Sequence, residues 1–218
     1  MRVKWDIMVK YWDTYLLGFG NTVQTSLIAL AASFVLGTVI AVLRIAPLKP
    51  LQWLSTAYVE FIRNIPLLLI VMLFFLGSPA LGIPLDGFAA GTIGLTVYTS
   101  AFIAEAVRAG IQSVPRGQTE AARASGLTYI QTMRYVVLPQ AIKIVIPPIG
   151  NQFLNLVKNS SVLGVVAGLD LMYYADIISS KSFVTFEVYI FVAMFYLVLT
   201  IPLSIGVRYL EKRLAGPA

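Results

Sequence analysis

The residues that could do chemistry in this chain are ionisable and amide side chains set inside apolar segments. Glu60 and Arg63 stand three apart, and so do Glu105 and Arg108. At that spacing helical side chains share a face and can pair. Asn64 follows the first pair. Further on, Asn151, Asn155 and Lys158 fall at i, i+4 and i+7, one stripe of a helix, and Gln152 and Asn159 widen it. Ser160 and Ser161 close the run. A charge at the centre of a spanning helix costs about 2.5 to 3.5 kcal/mol on insertion scales, so each of these residues needs a reason to be there. The two Glu/Arg pairs read either as structural pairs near an interface or as groups that bias gating or line a path. Lys158 has no acid within reach on its own helix, so it reads as a path residue or as a partner of Glu60 or Glu105 on another helix. The amide stripe must have its hydrogen bonds satisfied. It faces either a water-filled cavity or neighbouring helices that it holds together.

No catalytic constellation survives the same inspection. The chain has no Cys and no His, which removes disulfides, Cys metal sites, thiol nucleophiles and the usual proton shuttle. Ser160 and Ser161 follow Lys158 too closely for a Ser-x-x-Lys arrangement. Asp170 and Asp176 are isolated carboxylates, better read as solvated than as a cation site, so no metal is expected. No Gly-x-x-x-x-Gly-Lys-Ser/Thr phosphate loop is present. The chain is therefore not expected to be an enzyme. If ATP drives its work, the ATPase is a separate chain.

The elements that must position these residues follow from composition. Of 218 residues 58% are hydrophobic and only 12% charged, against about 25% charged for a soluble domain. The mean hydropathy is +0.83. These values predict an all-α integral membrane protein whose solvent is the lipid bilayer. The net charge of +6 then concerns topology rather than nucleic acid, which is not expected as a partner. The N-terminal stretch does not read as a cleaved signal, because Asp6 and Asp13 interrupt it. Residues 1–15 mix aromatics with charges, as an interfacial segment does. Five spans are expected, at about 16–43, 53–76, 88–111, 141–163 and 188–207, in a single domain over 16–213 with a tail at 214–218. Part of the polar patch Asn21 to Ser26 is expected to face protein. The 167–187 segment, with Leu169 to Tyr173 as a short helix or re-entrant piece, lies between the last two spans. Arg44, Lys49, Arg116, Arg123, Arg134, Arg208, Lys212 and Arg213 fall on one side, and Arg2, Lys4, Lys10 and Lys181 on the other. The positive-inside rule places the first set in the cytoplasm, the N-terminus outside and the C-terminus inside.

The loop over 112–140 is the longest stretch that a bilayer could not hold comfortably. Glu120 to Ser125 is rich in helix formers, and Gly126 suits a left-handed cap. Thr128 and Gln131 have the spacing of a capping box that starts a second short helix. Pro139 is expected to mark the next bend. A compact knob of small residues outside the bilayer suits docking into another protein.

Glu120-Ala121-Ala122, then Gly126, then Val136-x-Leu138-Pro139 resembles the "EAA" loop of the membrane subunits of bacterial ABC importers, with Val136 where the family prefers Ile. Phe61 to Leu68 resembles the second-span signature of the polar amino acid branch, and Tyr98 to Ile111 its third-span signature. Leu138 to Ala141 and Lys158 to Ser161 fit as well. The resemblance implies a type I importer permease in the inner (plasma) membrane of a bacterium. Its implied partners are an identical or paralogous permease subunit, ABC ATPase subunits that bind ATP and Mg, and an extracytoplasmic binding protein. It implies that residues 119–126 form the coupling helix, so that Glu120, Ala121, Ala122, Arg123, Gly126, Leu138 and Pro139 meet the ATPase. Glu105, Arg108 and the run from Asn151 to Ser161 are the expected substrate path. The family's basic amino acid branch often carries acids where this chain has Gln152 and Asn159. The cavity is then neutral to positive, and glutamate, glutamine or aspartate is favoured over arginine, lysine or histidine. A self-contained channel or secondary transporter is the reading from another class, disfavoured by the absence of a repeat.

Overall fold

In the computed structural model, residues 5–214 are described, and they contain helices and turns but no strand among the described residues. In chain order the helices are α1 (Asp6–Lys10), α2 (Trp12–Ile45), α3 (Lys49–Arg63), α4 (Leu67–Gly77), α5 (Gly87–Gln112), α6 (Arg116–Ala124), α7 (Tyr129–Thr132), α8 (Leu138–Asn159), α9 (Leu171–Ser182) and α10 (Thr185–Leu214). Three of them, α2, α5 and α10, are long and apolar enough to cross a membrane alone, and two bent pairs bring the total up to five. Helix α2 takes in Trp12 to Tyr15, which the sequence assigns to the interfacial segment.

Helix α5 sits at the centre, and α2 packs along it through small residues. Ser26, Ala29, Ser33, Gly37 and Ala41 recur every three or four positions and are buried, which lets backbones approach closely in lipid. At Gly37 a Cβ would stand 2.7 Å from the Ser100 carbonyl oxygen of α5. Part of the polar patch on α2 faces protein as expected, with Thr22, Thr25 and Ser26 buried and Gln24 exposed. Asn21 Nδ2 donates to the Leu169 carbonyl at 2.8 Å, and Thr22 Oγ1 accepts from Leu171 N at 2.9 Å. One apolar cluster, with Ile40, Val59, Ile62, Ile70 and Ala104, joins α2, α3, α4 and α5. A smaller one, Ile103, Val145 and Ile149, joins α5 to α8.

The expected second span is not one straight helix. Helices α3 and α4 meet at 104°. Pro66 has no N–H to continue the ladder and disfavours helical geometry at Ile65. Asn64 ends α3 by donating from Nδ2 to the Glu60 carbonyl at 2.7 Å. The expected bend at Pro139 is also absent. A π turn over Met133–Val137 carries α7 into α8 without a break, and Pro139 sits in the first turn of α8. The wider turn accommodates a backbone whose regular bonds the proline ring forbids. Pro147 and Pro148 lie inside α8 and do not end it.

Helix α9 replaces the short piece expected near Leu169. Asp170 caps it, accepting from Met172 N at 3.2 Å and Tyr173 N at 3.1 Å. The solvated reading of Asp170 is thereby corrected, since its side chain is fully buried in the loop before α9. Burial pushes its carboxyl up to about 6 from an ordinary 3.8, against the pull of the two N–H groups. A folded-state pKa above the unfolded one favours the protonated fold. That stability is whole below 3.8 and is lost as pH rises through about 6. Asp170→Asn keeps a good cap and stays neutral. It should therefore raise the melting temperature at pH 7.5, and this advantage should shrink at pH 5, as read by intrinsic fluorescence of the solubilised protein.

Candidate functional site

Three groups of expected site residues lie in different places. The first is the knob. Helix α6 starts after Pro115 and ends in a complete Schellman motif: Gly126 N donates to the Arg123 carbonyl at 3.0 Å and Leu127 N to the Ala122 carbonyl at 3.2 Å. Gly126 has φ +86°, the left-handed geometry that favours glycine. Both halves of the Thr128/Gln131 capping box are formed. Ala122 is buried, while Glu120, Ala121 and Arg123 face outward. Arg123 Nη1 donates to the Leu127 carbonyl at 2.9 Å, which ties the helix to the turn. Val114, Val137 and Ala141 pack together with Ile111 and Met133, so the end of α5, the π turn and the start of α8 share one cluster. Leu138 and Pro139 belong to that start. Ile130 and Tyr129 are 76% and 57% exposed beside α6; sequence reasoning passed over them, although exposed apolar residues on a polar loop signal a docking surface.

The second group gathers around Glu105. Arg108 reaches it at 2.5 Å from Nη2 and 3.2 Å from Nε, the expected local pair. Arg44 of α2 also binds its carboxylate, and Arg63 of α3 stands at 3.9 Å. The expected Glu60–Arg63 pair is not formed. Glu60 has Arg44 at 3.9 Å instead, because the elbow turns Arg63 toward α5, where its guanidinium lies 5.4 Å from the Phe102 ring. Arg44 is the residue sequence reasoning undervalued, reading it only as the end of a span. Its side chain is 6% exposed, so three helices meet on one carboxylate and its buried cation.

The third group is the stripe on α8. Asn151, Asn155 and Lys158 are all exposed on the subunit, with Gln152 and Asn159 half-buried. Lys158 makes no ion pair with Glu60 or Glu105, and the amides of the stripe make no interhelical hydrogen bond among the described residues. Ser160 Oγ donates to the Val157 carbonyl at 2.8 Å and Ser161 Oγ to the Lys158 carbonyl at 2.9 Å, so both serve the turn that ends α8. Lys158 opens instead onto a groove of about 450 Å³ between α8 and α10, shared with Thr200, Ser204 and Arg208. Among the described residues it holds two cations, two hydroxyls and no carboxylate. Sequence reasoning missed the α10 side, where Thr200, Ser204 and Arg208 recur at helical spacing. No cluster of three or more metal-ligating residues occurs among the described residues. Asp176 accepts a hydrogen bond from the Tyr189 hydroxyl.

Residues 33–216, which carry all three groups, match the family described as binding-protein-dependent transport system inner membrane component. The chain belongs to this family. The permease is 70% identical over 209 residues to the probable glutamine ABC transporter permease protein GlnM of Bacillus subtilis (strain 168), covering 96% of this chain and 97% of that one. It is 33% identical to the glutamate transport system permease protein GluC of Corynebacterium efficiens, covering 90% and 92%. The permease superimposes on the crystal structure of an amino acid ABC transporter with histidines with a TM-score of 0.92 and 38% identity, over 98% of this chain and all of that one. An inward-facing methionine ABC transporter, MetNI, matches at a TM-score of 0.77 and 21% identity, a likeness of fold. The permease thus has the type I importer fold.

Proposed function

We propose that this permease is the transmembrane half of an ATP-driven importer that carries a polar amino acid, glutamine first, across a bacterial plasma membrane. Five spans, with the second bent at Pro66, put the N-terminus outside and the knob and C-terminus in the cytoplasm. A separate ABC ATPase binds ATP and Mg. The observation that carries the proposal is mechanical. Helix α6 is a small outward-facing knob, and the chain runs from it through one capped turn and an unbroken π-to-α rod into the helix bearing the amide stripe. A push on α6 from a closing ATPase dimer is then delivered to α8 as a rigid-body shift. Glu105 and its arginines brace α2, α3 and α5 while α8 moves.

The stripe faces the second permease subunit and the path between them. Among the described residues its exposed amides and Lys158 have no partners, and burying them against lipid would be costly. The α8–α10 groove, with Lys158 and Arg208 and no acid, suits a cargo that carries a carboxylate and no net positive charge. The 70% identity to a probable glutamine permease points the same way. An extracytoplasmic binding protein delivers the cargo. In the complex with its ATPase and binding protein, ATP hydrolysis should be stimulated most by glutamine, then by glutamate or aspartate. Strongest stimulation by arginine, lysine or histidine would overturn the assignment of cargo.

A further inference from the structure

We infer that Arg208 of α10 is a binding residue of the transport path, gripping the cargo's α-carboxylate while Lys158 of α8 meets the cargo's side-chain oxygen. Both cations line the α8–α10 groove of about 450 Å³, with Thr200, Ser204 and Ile205 along its α10 wall. The inference gives roles to residues of a groove already read as suited to a carboxylate, and it rests on that reading of the cargo.

Packing aims the two cations at one space. Gly150 lets α8 touch α10, since a Cβ there would stand 2.4 Å from Val207 Cγ1. The start of α8 meets the end of α10, where Leu138 and Leu214 share a groove, so the two helices run antiparallel. Arg208 follows the Gly150–Val207 contact, and Lys158 lies roughly 12 Å further along α8 at about 1.5 Å per residue. Helical side chains lean toward the N-terminus of their own helix. In an antiparallel pair with this register, Lys158 and Arg208 therefore lean toward each other, and the space between them is where a small cargo fits.

Neither cation has a carboxylate. Arg44, Arg63 and Arg108 all stand within 4 Å of Glu105, whereas Lys158 and Arg208 make no ion pair among the described residues. Glu211 and Lys212 lie one turn beyond Arg208, outside the groove lining, and offset one another. An unpaired cation in a spanning helix is costly, and the cargo's carboxylate is the missing counter-charge. Shape divides the roles. A guanidinium presents a planar fork that takes a carboxylate through two parallel bonds, while an ammonium acts as a point charge. Lys158 donates equally well to the amide oxygen of glutamine and to the side-chain carboxylate of glutamate. Thr200 donates its own proton to the Tyr196 carbonyl at 2.9 Å, so its oxygen is left to accept. Ser204, one turn on, adds a second acceptor for the cargo's ammonium. A cationic side chain finds no carboxylate in this groove.

The test uses the complete transporter, with its ATPase and binding protein, in proteoliposomes. The chain has no Cys, so Ile205→Cys puts a lone permease thiol on the groove wall and leaves the binding groups in place. Ile201→Cys, one turn earlier, is a second reporter. Glutamine under ATP turnover should slow labelling of either thiol by a negatively charged thiosulfonate severalfold, and arginine should not. In the same background Arg208→Gln should abolish the protection and lower glutamine uptake about tenfold, the loss expected for one charge-assisted pair. Arg208→Lys should keep part of both. Absence of protection at both thiols in a transporter that takes up glutamine would overturn the inference and leave the proposed function standing. So would protection undiminished in Arg208→Gln. The comparison of glutamine with arginine needs no change at Arg208. Protection and uptake with arginine in place of glutamine would overturn this inference together with the reading of the cargo.

Discussion

Glu105→Gln should cost the subunit about 3 kcal/mol, the lower end of the range for breaking one partner of a buried ion pair. Glu105 accepts from Arg44 and Arg108 and stands within 4 Å of Arg63. The side chain of Arg44 is 6% exposed, and its Nε has no hydrogen-bond partner among the described residues. A neutral amide leaves Glu60, at 3.9 Å, as the guanidinium's one carboxylate partner among the described residues. The low end applies because Glu105 itself is 22% exposed, so water screens part of the loss. Arg44→Met combined with Glu105→Met removes both charges and should recover much of the stability. Chemical or thermal unfolding of the solubilised subunit reads the effect. Equal stability of Glu105→Gln and the parent would show that the cluster does not brace the three helices.

Glu120→Arg and Gly126→Trp should each leave a folded, inserted subunit that no longer retains a nucleotide-binding partner on purification. Glu120 is exposed on α6, so reversing its charge disturbs no packing. Gly126 has open space around the position of a Cβ, so the substitution meets no clash. Its cost is the left-handed backbone, about 1 to 2 kcal/mol for an L-residue, confined to a surface turn. Gly126→Ala pays the same backbone cost with little added bulk and should retain more partner than Gly126→Trp. The separation of membrane yield from partner retention is the diagnostic outcome. Retention in both of the first two variants would take the coupling role away from α6.

These two cases also show what could be read from the sequence. The knob was legible residue by residue, because its geometry is local. Gly126, Thr128 and Gln131 form a cap and a box within a few positions, and the structure places both as expected. The Glu105–Arg108 pair was legible for the same reason. The partner of Glu60 was not, since α3 and α4 meet at 104° beside Pro66 and α2 brings Arg44 into the cluster from sixty-one positions away from Glu105. Pro139 misled because proline forbids one hydrogen bond, and a π turn upstream absorbs that loss without a bend. The stripe on α8 was legible as a pattern. Its surroundings were not, because Thr200, Ser204 and Arg208 join Lys158 only through the packing of α10 on α8.

On the proposed mechanism the permease moves its cargo only when a separate ATPase drives it. The most direct measurement is glutamine uptake into proteoliposomes that contain the permease, with the ATPase subunits and binding protein added or withheld. Uptake should require ATP, the ATPase and the binding protein together. Glutamine flux through the permease alone, equal to that of the full assembly, would instead place the chain among self-contained channels or secondary transporters.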